Sequence, residues 1–120
     1  MKCNVTINNG KAGTFISRGE LNLGVKGFGL FYETDGDKCV LTYANGVLTQ
    51  ERFGRVRLKM IFAQGKETEC TLGEGGLSGT FNVYTDKIYI VNDDRSVNVT
   101  LTYVCAGESV TLQIIADSRK

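Results

Sequence analysis

Ser96-Val-Asn-Val-Thr-Leu-Thr-Tyr-Val-Cys105 is the stretch that decides the fold. Val97, Val99, Leu101, Tyr103 and Cys105 fall on one side of an extended chain, and Asn98, Thr100 and Thr102 on the other. Successive side chains of a strand point to opposite faces, so this alternation describes a strand with one face in a core and one in water. Its neighbours read the same way. Val110, Leu112 and Ile114 alternate with Thr111 and Gln113, and Val56, Leu58, Met60 and Phe62 alternate with Arg55, Arg57 and Lys59. Strands are expected near 2–8, 13–25, 28–34, 38–44, 47–53, 55–63, 67–73, 78–91, 96–105 and 108–116, the two longest being open to a kink or a split.

Turn residues punctuate these runs at near-regular spacing: Asn9-Gly10, Asp35-Gly36, Asn45-Gly46, Gln64-Gly65, Gly75-Gly76, Asp93-Asp94 and Ala106-Gly107. Two-residue hairpins favour such pairs because both central positions tend to need positive φ. The best helix candidate, Val47 to Ala63, has no capping box and reads as two strands hinged at Gly54. Gly24, Gly27 and Gly29 read as a barrel corner. Short connections leave little room for Greek-key crossings, and closure removes exposed edges. The expected fold is all-β, a closed antiparallel up-and-down barrel of about eight to ten strands, with residues 1–120 as one domain.

The 120 residues are 42% hydrophobic and 22% charged, which fits a globular chain and excludes a disordered one. Fourteen Lys and Arg stand against 13 Asp and Glu, so no global field draws the chain to nucleic acid or a membrane surface. Histidine is absent, which removes the usual general base and the commonest zinc ligand. No run of 18 apolar residues is present, and the polar first ten residues do not read as a secretory signal. Cys3, Cys39, Cys70 and Cys105 are widely spaced with no C-x-x-C pair, the pattern of free thiols in a reducing cytoplasm rather than of a disulfide framework or a zinc site.

Asn45-Gly-Val-Leu-Thr-Gln-Glu-Arg-Phe-Gly-Arg-Val-Arg-Leu-Lys-Met-Ile-Phe-Ala-Gln-Gly65 resembles a block of the YwiB-like bacterial domain family, a family of unknown function. Gly76-Leu-Ser-Gly-Thr-Phe-Asn-Val-Tyr-Thr-Asp-Lys-Ile88 and the closing pair Val97 to Tyr103 and Val110 to Ile114 follow in the order and spacing of that family. The resemblance covers roughly residues 20–116. It implies a closed calycin-type barrel, lipocalin-like in shape, and it carries no assigned catalytic residue.

Two binding readings follow. In the first, the barrel interior holds a small apolar or amphipathic molecule against Leu41, Tyr43, Leu58, Met60, Phe62, Leu101, Tyr103, Leu112 and Ile114. In the second, an outer strip of Arg52, Phe53, Arg55, Arg57 and Lys59 engages a protein or RNA, since an aromatic beside basic residues suits a nucleic-acid strand; the near-zero net charge weighs against nucleic acid. An interior of at least ~300 Å³ favours the first reading and a filled one the second.

Enzyme signals are weak. Gly73-Glu-Gly-Gly-Leu-Ser-Gly79 has Ser78 where a phosphate-cradling loop needs its last glycine, and it reads as a hairpin. The pairs Asp35/Asp37 and Asp93/Asp94 fall in expected turns, where Asp serves turn chemistry. Cys39, Cys70 and Cys105 share faces with core residues and read as inert thiols. No catalytic residue, metal ligand or cofactor is expected, and oligomeric state is not legible.

Overall fold

The structure, a computed structural model, describes residues 1–10 and 12–119. Ten strands follow one another: β1 (Lys2–Asn9), β2 (Gly13–Leu23), β3 (Phe28–Thr34), β4 (Asp37–Ala44), β5 (Val47–Phe53), β6 (Val56–Ala63), β7 (Glu67–Glu74), β8 (Leu77–Asn92), β9 (Ser96–Cys105) and β10 (Glu108–Asp117). Each pairs antiparallel with the next, and β1 pairs with β10 to close the barrel. The expected up-and-down barrel is therefore what the chain forms, at the upper end of the expected strand count.

The turns explain the register. Asp35-Gly36, Asn45-Gly46, Gly75-Gly76 and Ala106-Gly107 all hold positive φ at both positions. That is the two-residue hairpin turn whose twist matches its strands. Register then fixes facing, because a slip of one residue would turn every side chain over. The inner face gathers Val5, Leu21, Leu30, Leu41, Leu48, Phe62, Val83, Val99, Leu101 and Ile114, all nearly or wholly inaccessible.

Three details depart from the expected boundaries. β2 ends at Leu23, because Gly24 to Gly27 forms a turn in which Gly24 N–H donates to Gly27 O at 2.9 Å. Gly27 packs so closely on β4 that a Cβ there would lie 1.9 Å from Tyr43 O. β6 starts at Val56, which leaves Arg55 in the β5–β6 turn. Third, β8 is one bent strand, with an irregularity between Thr85 and Lys87 that inserts a residue against β9. A bulge of this kind bends a strand and shifts its alternation by one: Val83 and Thr85 face inward before it, Ile88 and Ile90 after it.

The bend leaves β8 paired unevenly. β7 covers Leu77 to Tyr84, whereas β9 covers Val83 to Asn92. The β7–β8 hairpin thus projects past the end of β9. The β6–β7 ladder spans only Val56–Lys59 with Thr71–Glu74, and beyond it Thr68 Oγ1 donates to Ile61 O.

Candidate functional site

The nine inner-face residues expected to line a ligand cavity all come from strands of the barrel wall. Leu41, Met60, Phe62, Leu101, Leu112 and Ile114 are buried, while Tyr43, Leu58 and Tyr103 are half-buried toward the barrel ends. They pack on one another. Leu112 lies opposite Leu101, the Phe62 and Tyr103 rings tilt together with centroids 5.1 Å apart, and Tyr43 stacks on Phe28. Side chains at 0–2% exposure, such as Leu41, Phe62 and Leu101, border no gap that a water-sized sphere can enter. The middle of the barrel is filled by its own side chains, one of the two outcomes open to a small barrel.

The five residues expected on one outer strip separate. Arg52 alternates with Leu48 and Gln50 and lies opposite Leu58, so it stands on the inner side of β5 at the barrel end. There its Nε donates to Asp37 Oδ2 at 2.8 Å. Arg55 also leaves the strip, since it sits in the turn and its backbone N–H donates to Asp37 Oδ1 at 2.9 Å. Phe53, Arg57 and Lys59 do face outward and are exposed.

Asp37 is not a turn aspartate. It opens β4, is 5% exposed, and accepts a third bond from Val56 N–H at 3.2 Å. The Arg55 amide and then the Arg52 guanidinium hold its carboxyl below the ordinary range. Gly54 is required beside it: its φ is 153°, and a Cβ would meet Asp37 Oδ1 at 2.0 Å. Next along this inner wall, Gln50 Nε2 donates to the Tyr32 hydroxyl at 3.3 Å, and burial pushes that hydroxyl up to about 12.

The outer face carries a cross-strand row that sequence reading did not assemble. Its residues are Glu20, Phe31, Val40, Glu51, Lys59, Thr71 and Thr80, each opposite the next. A neighbouring row holds Glu33, Lys38 and Phe53, and on the other side of the β5–β6 turn Arg57, Gly73 and Ser78. Two clefts open over these rows. One of about 390 Å³ runs from Glu51 and Phe53 past Arg57 and Lys59 to Thr80. The other, of about 630 Å³, runs from Arg18 and Glu20 past Phe31 and Lys38 to Phe53. Phe53 lies between the clefts and borders both. The sequence signal for Phe31 was its parity: Phe28, Leu30 and Tyr32 face inward, so Phe31 must face out.

The four cysteines are all free, with Cys3, Cys39 and Cys70 buried and Cys105 half-buried. Burial pushes the Cys3, Cys39 and Cys70 thiols up. The glycine-rich run forms the β7–β8 hairpin, with Gly75 and Gly76 at its turn. Among the described residues, no three His, Cys, Asp or Glu side chains come together as a metal site, and no helix is long and apolar enough to cross a membrane.

Comparison with known proteins agrees with this architecture. A family model described as "Domain of unknown function (DUF1934)" matches residues 4–111. The crystal structure of ywiB protein from Bacillus subtilis is similar, with a TM-score of 0.80 and 16% sequence identity over 99% of this chain and 91% of that chain. No curated protein matches.

Proposed function

We infer, from the premise that this chain belongs to the DUF1934 family of domains of unknown function, that it is a binding barrel which engages a protein on its outer face. The supporting observation is the position of Phe53 between two outer clefts, with Phe31 and Val40 on one side and Arg57 and Lys59 on the other. Exposed aromatics with arginine nearby are the residues that anchor protein interfaces. Glu20, Glu33 and Glu51 interleave with Arg18, Lys38, Arg57 and Lys59 on this surface, and such carboxylates repel a phosphate backbone. The charge pattern therefore favours a protein over RNA.

A binder rather than a catalyst fits the titration behaviour. Bonds from backbone amides and Arg or Ser side chains hold Asp37, Asp93 and Asp117 low, and burial raises Cys3, Cys39, Cys70, Tyr32 and Tyr103. All move away from neutrality, where a general acid or base is useful. Four free thiols support a cytoplasmic setting.

The test is a photo-crosslinking side chain placed at Phe53 in living cells, with Ile16, on the outer face of β2, as control. A discrete adduct at Phe53 that disappears in Arg57→Glu/Lys59→Glu supports the reading. Equal labelling at both positions, or none at Phe53, refutes it. The second reading, an apolar molecule in the interior, keeps one supporting observation: Leu58, Phe81, Tyr103 and Phe15 are half-buried toward the same end of the barrel. Saturable binding of 1-anilinonaphthalene-8-sulfonate to the native protein, weakened by Tyr103→Ala and not by Arg57→Glu, would favour it.

A further inference from the structure

The β7–β8 hairpin carries a strand edge with no neighbour. Among the described residues, Leu77 to Asn82 pair with β7 on one side and with nothing on the other, because β9 ends opposite Val83. The two-residue Gly75-Gly76 turn fixes which groups are open. It makes Glu74 and Leu77 the closing hydrogen-bonded pair, and hydrogen-bonded and open pairs then alternate along the ladder. The backbone N–H and C=O of Ser78, Thr80 and Asn82 therefore point away from β7 to the open edge.

Open edges are usually protected by charge, proline or a bulge. Leu-Ser-Gly-Thr-Phe-Asn has none of these. Leu77 is 80% exposed and Leu72 46%, and a cleft of about 640 Å³ beside them runs from Leu72 to Phe81 and Cys105. Its one charged lining residue is Glu74. Glu108 stands opposite Cys105, at the far end. Neither carboxylate is ion-paired among the described residues.

We propose that the Leu77–Asn82 edge of β8 is a strand-addition site for an extended peptide with apolar residues at alternate positions and a basic residue at each end. The segment spans roughly 20 Å at about 3.4 Å per residue, room for six peptide residues. Their main chain bonds to Ser78, Thr80 and Asn82, alternate side chains enter the cleft over Leu77 and Phe81, and the flanking cations reach Glu74 and Glu108. Main-chain bonds supply affinity in this mode and the alternate side chains supply selectivity. Charge decides against a second copy of the chain, which would bring the same uncharged segment and two more carboxylates to the cleft. The edge adjoins the outer cleft that ends at Thr80 and shares Leu72, Ser78, Gly79 and Thr80 with it; peptide binding that Arg57→Glu/Lys59→Glu leaves unchanged distinguishes this edge from the outer face.

The probe is the capped peptide Lys-Ser-Val-Ser-Val-Ser-Lys, whose valines and lysines share one face of the extended chain, titrated into the full chain. Saturable binding is expected, with slowed hydrogen exchange at the Ser78, Thr80 and Asn82 amides. Replacing both lysines by glutamate should weaken binding at least about tenfold. Thr80→Pro removes an edge donor but no bond to β7, a position where a strand tolerates proline, and it should abolish binding with the barrel's circular dichroism unchanged. Should that variant misfold, N-methylation of the peptide replaces it: methyl groups on one alternate set of amides should abolish binding, and on the other set spare it. Failure to bind at millimolar peptide, equal binding by both methylated peptides, or binding unchanged in a folded Thr80→Pro overturns the proposal. So does protection of the same amides by protein concentration alone, which would assign the edge to a second copy.

Discussion

Phe62→Ala tests whether the barrel is filled. The ring is 1% exposed and tilts against Tyr103 at 5.1 Å. Burying a phenylalanine contributes up to ~3 kcal/mol. Where the surroundings cannot collapse, the cavity term brings truncation to about 3–5 kcal/mol. A wall of closed hydrogen-bonded strands collapses poorly, and the aromatic pair with Tyr103 is lost as well, so about 4 kcal/mol is expected. In a domain of this size that lowers the melting temperature by roughly 12–20 °C, and urea melts should show the midpoint fall by roughly 2–3 M with unchanged slope. The void should also be dry and take up xenon or benzene. If the interior were hollow and wet, water would replace the ring, and the loss would stay below about 2 kcal/mol. That result, with the slope unchanged, refutes the packed interior and restores the interior-ligand reading.

Three further outcomes follow from the same structure. Because the Arg55 amide and Arg52 hold Asp37 below the ordinary carboxylate range, its stabilising contribution is complete above an unfolded-state value near ~3.9 and is lost as pH falls through the native value; Asp37→Asn should be less stable at pH 7 and lose less on acidification, in melts from pH 7 to pH 2. With all four cysteines free and three buried, denatured, unreduced protein should titrate four thiols with Ellman's reagent while the native protein reacts slowly. Gly27→Ala forces a Cβ against Tyr43 O and should destabilise by about 2–4 kcal/mol in the same urea melts; Gly24→Ala, where the nearest atom is 3.4 Å from the Cβ, should cost much less.

The strands and turns were legible because alternation and turn chemistry act locally, and all ten expected strands appear. Facing at the barrel end was harder. Arg52 reads as surface by charge, yet its parity with Leu48 and Gln50 already placed it inward. Asp37 likewise keeps step with Cys39 and Leu41. Composition argued for a turn and register overruled it, because a strand cannot turn one side chain without turning its neighbours. The β8 bulge also had a signal, since the inward residues pass from odd positions at Val83 and Thr85 to even ones at Ile88 and Ile90. The outer rows through Phe31 and Phe53 could not be read from one strand, because they exist only when six registers are set side by side. The open edge beside Leu77 depended on the relative lengths of β8 and β9, which propensity does not report.

The joint between β1 and β10 has a consequence for the order of folding. Every other neighbouring pair of strands is a hairpin or a short connection, but Asn4 lies opposite Asp117 and Ile7 opposite Ile114. Closing that joint requires the two ends of the chain to meet, at the largest loop entropy in the molecule. The nine local joints can zip as the chain emerges during synthesis, yet the ring stays open until its last strand exists. During that interval the sheet presents two bare edges at once, and a neighbouring nascent chain can pair with either. The slower this one joint closes, the longer both edges stay bare, and unpaired strand edges are where aggregation of incompletely folded chains begins.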